Sequence, residues 1–132
     1  MDRVFLDANV LVSAALKPGS AITTLWTLPD TRLLASPYVL AEARRNVKAA
    51  EAAQRLESLI GALAVLPTEP ADFAIEDDPG LPPKDRPILL AAIVSGAAVL
   101  LTSDITHFGA CLGSVVNGVR ILMPGQYLRS RE

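Results

Sequence analysis

Cysteine is almost missing from this sequence. Cys111 stands alone among 132 residues, so no disulfide within the chain and no cysteine zinc cluster can form, and a reducing cytoplasm is the expected compartment. Long apolar runs are missing too. The longest uncharged one, ILLAAIVSGAAVLL at 88–101, is short for a bilayer span and is interrupted by Ser95 and Gly96, so no membrane segment is expected. The opening residues include Asp2, Arg3 and Asp7 and lack the basic, apolar, small-residue order of a signal peptide. A strong net charge is also absent: the formal value is −2. Long-range attraction to nucleic acid is therefore weak, although a local basic patch can still grip phosphate. There is no internal repeat, linker or low-complexity segment.

What is present is apolar. Hydrophobic residues make up 51% and charged residues only 20%, with a mean hydropathy of +0.37, which is the opposite of a disordered composition. The length suits one core, so residues 1–132 are expected to form a single domain. Short apolar strands are expected at VFL (4–6), RLLAS (32–36), AVLLTS (98–103) and GVRILMP (118–124). Helices are expected over 9–16, 21–28, 37–50, 51–63 and 86–97, with a shorter one over 106–112. Pro37 suits a first helical turn. The proline- and acid-rich stretch from 67 to 86 should be mostly loop, with one short helix near 70–76. Strands alternating with helices predict an α/β fold: three layers, α/β/α, with a mainly parallel central sheet.

Four carboxylates fall at telling places in that pattern. Asp7 follows the first strand directly and Asp104 follows VLLTS, and ligands of open α/β sheets bind at the carboxyl ends of strands. Glu42 lies in the helix after RLLAS, and Asp85 opens the helix after the proline-rich loop. Both helices leave the same end of the sheet if the crossovers are right-handed. Each acid also has a plain structural role open to it. Asp7, Asp85 and Asp104 stand where helix N-caps stand, and Glu42 has Arg45 three residues on as a surface ion-pair partner. Taken together, however, crowded carboxylates repel unless a cation neutralises them. Oxygen-rich sets of this kind suit Mg²⁺ or Mn²⁺, and such an ion beside phosphate is apparatus for phosphodiester hydrolysis.

The same residues resemble those of a PIN-domain ribonuclease, the fold used by VapC-type toxins of toxin–antitoxin modules, over essentially the whole chain. VFLDANVLVSA is similar to the family's first motif, a strand followed by D-x-N-x-L/I. YVLAEARR is similar to the second, around Glu42; KDRPILLAAI to the third, giving Asp85; and LLTSDITHFG to the fourth, giving Thr102 and Asp104. The resemblance implies a metal-dependent endoribonuclease in which Asp7, Glu42, Asp85 and Asp104 hold Mg²⁺ or Mn²⁺, with Asn9 and Thr102 orienting ligands, water or substrate. It further implies an RNA substrate, a cognate antitoxin and a homodimer.

Arg44, Arg45, Lys84 and Arg86 flank these acids and are candidates for holding an RNA backbone, with Lys48 better read as a solubilising charge. Tyr38, Phe108 and His107 have the ring faces that stack on unpaired bases. Phe108 is better read as core, and His107 as a surface or capping residue rather than a general base. Arg129 and Arg131 are expected in a solvated tail. Two other functions compete. A phosphohydrolase of the haloacid dehalogenase type also begins with a strand and D-x-D, but Asn9 stands where its second acid is needed. A catalytically silent PIN-like module that only holds RNA or a protein would be suggested by loss of one of the four acids, and none is lost.

Overall fold

The computed structural model describes residues 1–131. Its chain runs β1 (Asp2–Leu6), α1 (Ala8–Leu16), a 3₁₀ helix (Ala21–Thr27), β2 (Thr31–Ala35), α2 (Pro37–Arg45), α3 (Ala50–Gly61), β3 (Ala64–Val65) and α4 (Arg86–Val94). Then come β4 (Val99–Leu101), α5 (Ile105–Phe108), a second 3₁₀ turn (Gly109–Cys111), β5 (Val115–Val116), β6 (Val119–Leu122) and α6 (Pro124–Ser130). The six strands form one sheet in the order β3-β2-β1-β4-β6-β5, parallel except for the β5–β6 pair. This is the expected three-layer α/β/α fold.

Parallel strands covered on both faces must be apolar throughout rather than alternating. β1 shows this: Val4, Phe5 and Leu6 are all fully buried, as are Leu100 and Leu101 of β4. The order of the strands then locates the site. From β1 the chain crosses to β2 on one side, and β4 returns on the other. The helices leaving β1 and β4 therefore diverge, and a crevice opens at their carboxyl ends. Asp7 sits at that edge, its N–H donating to the Leu101 carbonyl at 2.9 Å.

Several elements depart from the sequence expectation, each for a local reason. Residues 70–76 form no helix; the segment is instead tied to Arg86, whose guanidinium donates to Asp72, Asp78 and the Phe73 carbonyl. Residues 21–27 wind as 3₁₀ rather than α, and the hydroxyls of Thr23, Thr24 and Thr27 each donate to the carbonyl three residues earlier, competing with the wider α-turn. The helix expected over 37–50 stops at Arg45, where Asn46 turns its side-chain amide back onto the Glu42 carbonyl at 2.8 Å. The last strand is half of a hairpin whose turn, Asn117-Gly118, has positive φ at both positions (47° and 83°), as a type I′ turn requires. Of the two arginines expected in a solvated tail, Arg129 is exposed but Arg131 is not free. α6 buries Tyr127, whose hydroxyl donates to Asp2 at 3.0 Å, and Arg131 reaches the same carboxylate at 3.0 Å.

Candidate active site

A cleft of ≈ 420 Å³ lies at the carboxyl edge of β1 and β4, with Asp7, Asn9, Glu42, Asp85, Asp104 and Lys84 among its lining residues. All four acids singled out in the sequence reach it. Each is placed by a different element: Asp7 by the end of β1, Glu42 by α2, Asp85 by the start of α4 and Asp104 by the loop after β4.

Asp7 is 4% exposed and heavily bonded. One carboxylate oxygen accepts from the Ala8 N–H at 2.7 Å, and the other from Thr102 Oγ1 at 2.8 Å and Asn9 Nδ2 at 3.2 Å. Burial nevertheless outweighs these donors and pushes its pKa up to about 6 from 3.8; the Thr102 and Ala8 bonds pull it down, and the negative charges of Asp85 and Asp104 add to the rise. Thr102 is fully buried and works in two directions, since its hydroxyl also accepts from the Asp104 N–H at 3.1 Å. Asn9 spans the same junction: its side-chain oxygen accepts from the Ser103 N–H at 2.9 Å. Asn9 and Thr102 thus lock the loop after β4 to the carboxylate after β1. Fixing charged groups in this way is how residues behind a ligand set hold its geometry.

Asp85 is different. It stands at the N-cap position of α4, yet its side chain caps nothing. Although it is only 7% exposed, its Oδ2 is buried without a hydrogen-bond donor. That oxygen is 3.1 Å from His107 Nδ1, but the same nitrogen lies 2.7 Å from Asp104 Oδ2 and bonds there. One ring nitrogen carries at most one hydrogen, so Asp85 is left unsatisfied. Burial raises its pKa; His107 and Lys84 oppose the rise, and Asp104 and Glu42 reinforce it. Asp104 goes the other way. Burial acts to raise it, but the His107 backbone N–H at 3.0 Å and the His107 ring together hold it below the usual carboxylate value.

Glu42 lines the cleft and is also bonded to Arg45 at 2.8 Å, so the inward position and the surface ion pair coexist. The candidate phosphate-binding cations divide. Arg44 is bidentate on Glu57, Arg45 holds Glu42, and Arg86 is committed to Asp72 and Asp78. Lys84 lines the cleft with no carboxylate within ion-pair distance among the described residues. Phe108 is fully buried in the core, whereas Tyr38 lines the cleft, its hydroxyl donating to the Lys84 carbonyl at 2.6 Å.

The sequence reading left His107 outside this constellation, as a surface or capping residue. The fold instead sets its ring between two of the acids. Among the described residues, Asp85, Asp104 and His107 offer ligand atoms that all lie within 4.8 Å of one another. Asp7 and Glu42 face the same cleft from outside that tight group. The spacing of His107 three residues after Asp104 was the available signal: a capping turn carries its third residue back over the cap.

Comparison with known proteins gives a consistent placement. No curated protein sequence matches the chain. Among solved structures, the chain is similar to one in the crystal structure of VapBC2 from Rickettsia felis bound to a DNA fragment from their promoter. The TM-score is 0.59 at 17% identity, over 90% of this chain and 96% of that one. The PIN domain sequence profile matches residues 3–106, a span that contains all four cleft acids, and the chain belongs to the PIN domain family.

Proposed function

We propose that this protein is a metal-dependent endoribonuclease that hydrolyses RNA phosphodiester bonds and serves as the toxin of a toxin–antitoxin pair. The observation that carries the reading is the cleft itself. It collects Asp7, Glu42, Asp85 and Asp104 and leaves a buried Asp85 oxygen with no donor. A buried, donorless carboxylate oxygen is costly in a folded protein unless a cation compensates it, and hard oxygen donors are those that Mg²⁺ and Mn²⁺ take. The donor set therefore fits such an ion. Bound there, it would supply a water of lowered pKa and stabilise the oxyanions that develop on a phosphate.

The chain's own residues have separable tasks. Asp7, Glu42, Asp85 and Asp104 would hold the ion, Asp85 and Asp104 lying nearest one another beside His107. Thr102 and Asn9 fix the Asp7 carboxylate so that its orientation is set before substrate arrives. Lys84 presents an ammonium at the cleft wall, where it can neutralise a backbone phosphate without reading sequence. No second acid supports a dehalogenase-type phosphohydrolase, since the Asn9 side chain is engaged with Asp7 and Ser103.

An antitoxin partner is supported by the likeness to VapBC2; assembly as a homodimer and a cytoplasmic location rest on the family resemblance. No helix among the described residues is long and apolar enough to cross a membrane. The test is incubation of purified wild type and Asp7→Asn with single-stranded and structured RNAs in Mg²⁺ or Mn²⁺, with and without EDTA. Cleavage that requires metal and disappears in the variant supports the proposal. Equal cleavage by both proteins rejects the site, and RNA binding with no cleavage by either favours a silent module.

A further inference from the structure

We infer that His107 is itself a metal ligand, so that the site is a mixed oxygen–nitrogen set and prefers Mn²⁺ to Mg²⁺. The inference rests on the proposed metal site but goes beyond it, because the donors assigned there are all carboxylates. Its basis is position. Nδ1 of His107 lies 2.7 Å from Asp104 Oδ2 and 3.1 Å from Asp85 Oδ2, so the three atoms are close enough together to serve as neighbouring ligands of one ion. The donorless Asp85 oxygen is an independent sign that this spot lacks a partner. A neutral ring with its hydrogen on Nε2 presents a lone pair at Nδ1, turning the contact that now bonds Asp104 into a coordinating one.

The metal preference follows from ligand chemistry. Mg²⁺ demands near-octahedral oxygen donors and gives up water reluctantly, whereas first-row transition ions accept an imidazole nitrogen more readily, Mn²⁺ the least strongly of that series but more so than Mg²⁺. Adding one nitrogen to two carboxylates shifts the balance toward Mn²⁺. The ring is only partly exposed, at 28% of its side-chain surface, and its backbone is held by the Asp104 cap, so little reorganisation is needed to use it.

His107 is the only histidine in the sequence, which makes the test unambiguous in tag-free protein. Wild type grown with ¹⁵N confined to histidine and loaded with Mn²⁺ should show ¹⁵N hyperfine coupling in pulsed EPR. Calorimetry with Mn²⁺ and with Mg²⁺ should show the Mn²⁺ affinity falling by about 10-fold or more in His107→Ala, as for loss of a ligand or its support, while Mg²⁺ affinity changes less than about threefold. His107→Asn keeps an N–H near the Nδ1 position but has no nitrogen lone pair, and it should lose the Mn²⁺ preference as well. Bound Mn²⁺ without ¹⁵N coupling, or a preference restored by Asn, overturns the ligand role and leaves the nuclease proposal standing. Absence of any metal binding overturns both.

Discussion

Asp7→Asn is expected to abolish cleavage and, in metal-free protein at neutral pH, to make the fold more stable. The folded-state pKa of Asp7 is about 6 against 3.8 ordinarily, so ionising it inside the fold is unfavourable by about 3 kcal/mol. Because the folded value lies above the unfolded one, the unfolded chain gives up this proton first as pH rises. The wild-type contribution is therefore complete below about pH 4 and is lost as pH climbs through about 6. Asparagine has no such loss. It does remove the acceptor shared by Thr102 and Asn9, at a cost of about 1 kcal/mol. In urea titrations with EDTA, the variant should be about 1 kcal/mol less stable than wild type near pH 4 and about 2 kcal/mol more stable near pH 8, with the crossing between. A difference that stays constant over this range would refute the assignment of Asp7 as a buried, electrostatically unfavourable carboxylate.

Thr102→Val removes both the donor to Asp7 and the acceptor of the Asp104 N–H. It should raise the Asp7 carboxyl above its present value, read by ¹³C-carboxyl NMR titration in chelator, and lower cleavage by about 10- to 100-fold. Lys84→Ala should weaken RNA binding by the Asp7→Asn protein and reduce the logarithmic salt slope by about one, measured by anisotropy at several salt concentrations. Arg44→Ala, whose guanidinium is spent on Glu57, should change neither, and its loss of stability should stay below about 1 kcal/mol. Tyr127→Phe deletes a buried hydroxyl that bonds Asp2 and should lower stability by about 1 kcal/mol in thermal melts, without affecting metal binding.

The parts of the architecture that follow from apolar periodicity were legible in the sequence. β1 and β2 each end in three buried apolar residues, β4 is buried throughout and α4 is buried over residues 88–92, so their identity does not depend on distant partners. The segments that escaped are those decided by a long-range or short polar contact. Residues 70–76 are held as a loop by Arg86, and α6 is anchored by Tyr127 and Arg131 on Asp2 at the far end of the chain. The β5–β6 hairpin did carry a local signal, Asn117-Gly118, but its strands are too short to show alternation. In the site, Asp7, Asp85 and Asp104 could be placed because each follows a strand or opens a helix, and Glu42 because it lies in the helix that follows β2. His107 carried only its spacing from Asp104 as a signal, because the approach of its ring to Asp85, 22 positions away in the chain, depends on the turn after Asp104.

The central claim is that the cleft acids hold a divalent cation. Crystals of the protein grown without metal and then soaked in Mn²⁺ should give an anomalous peak between Asp85 and Asp104, absent from crystals of Asp85→Asn treated alike. A wild-type cleft that shows no peak at full soak, or Mn²⁺ found only elsewhere on the surface, would contradict the account.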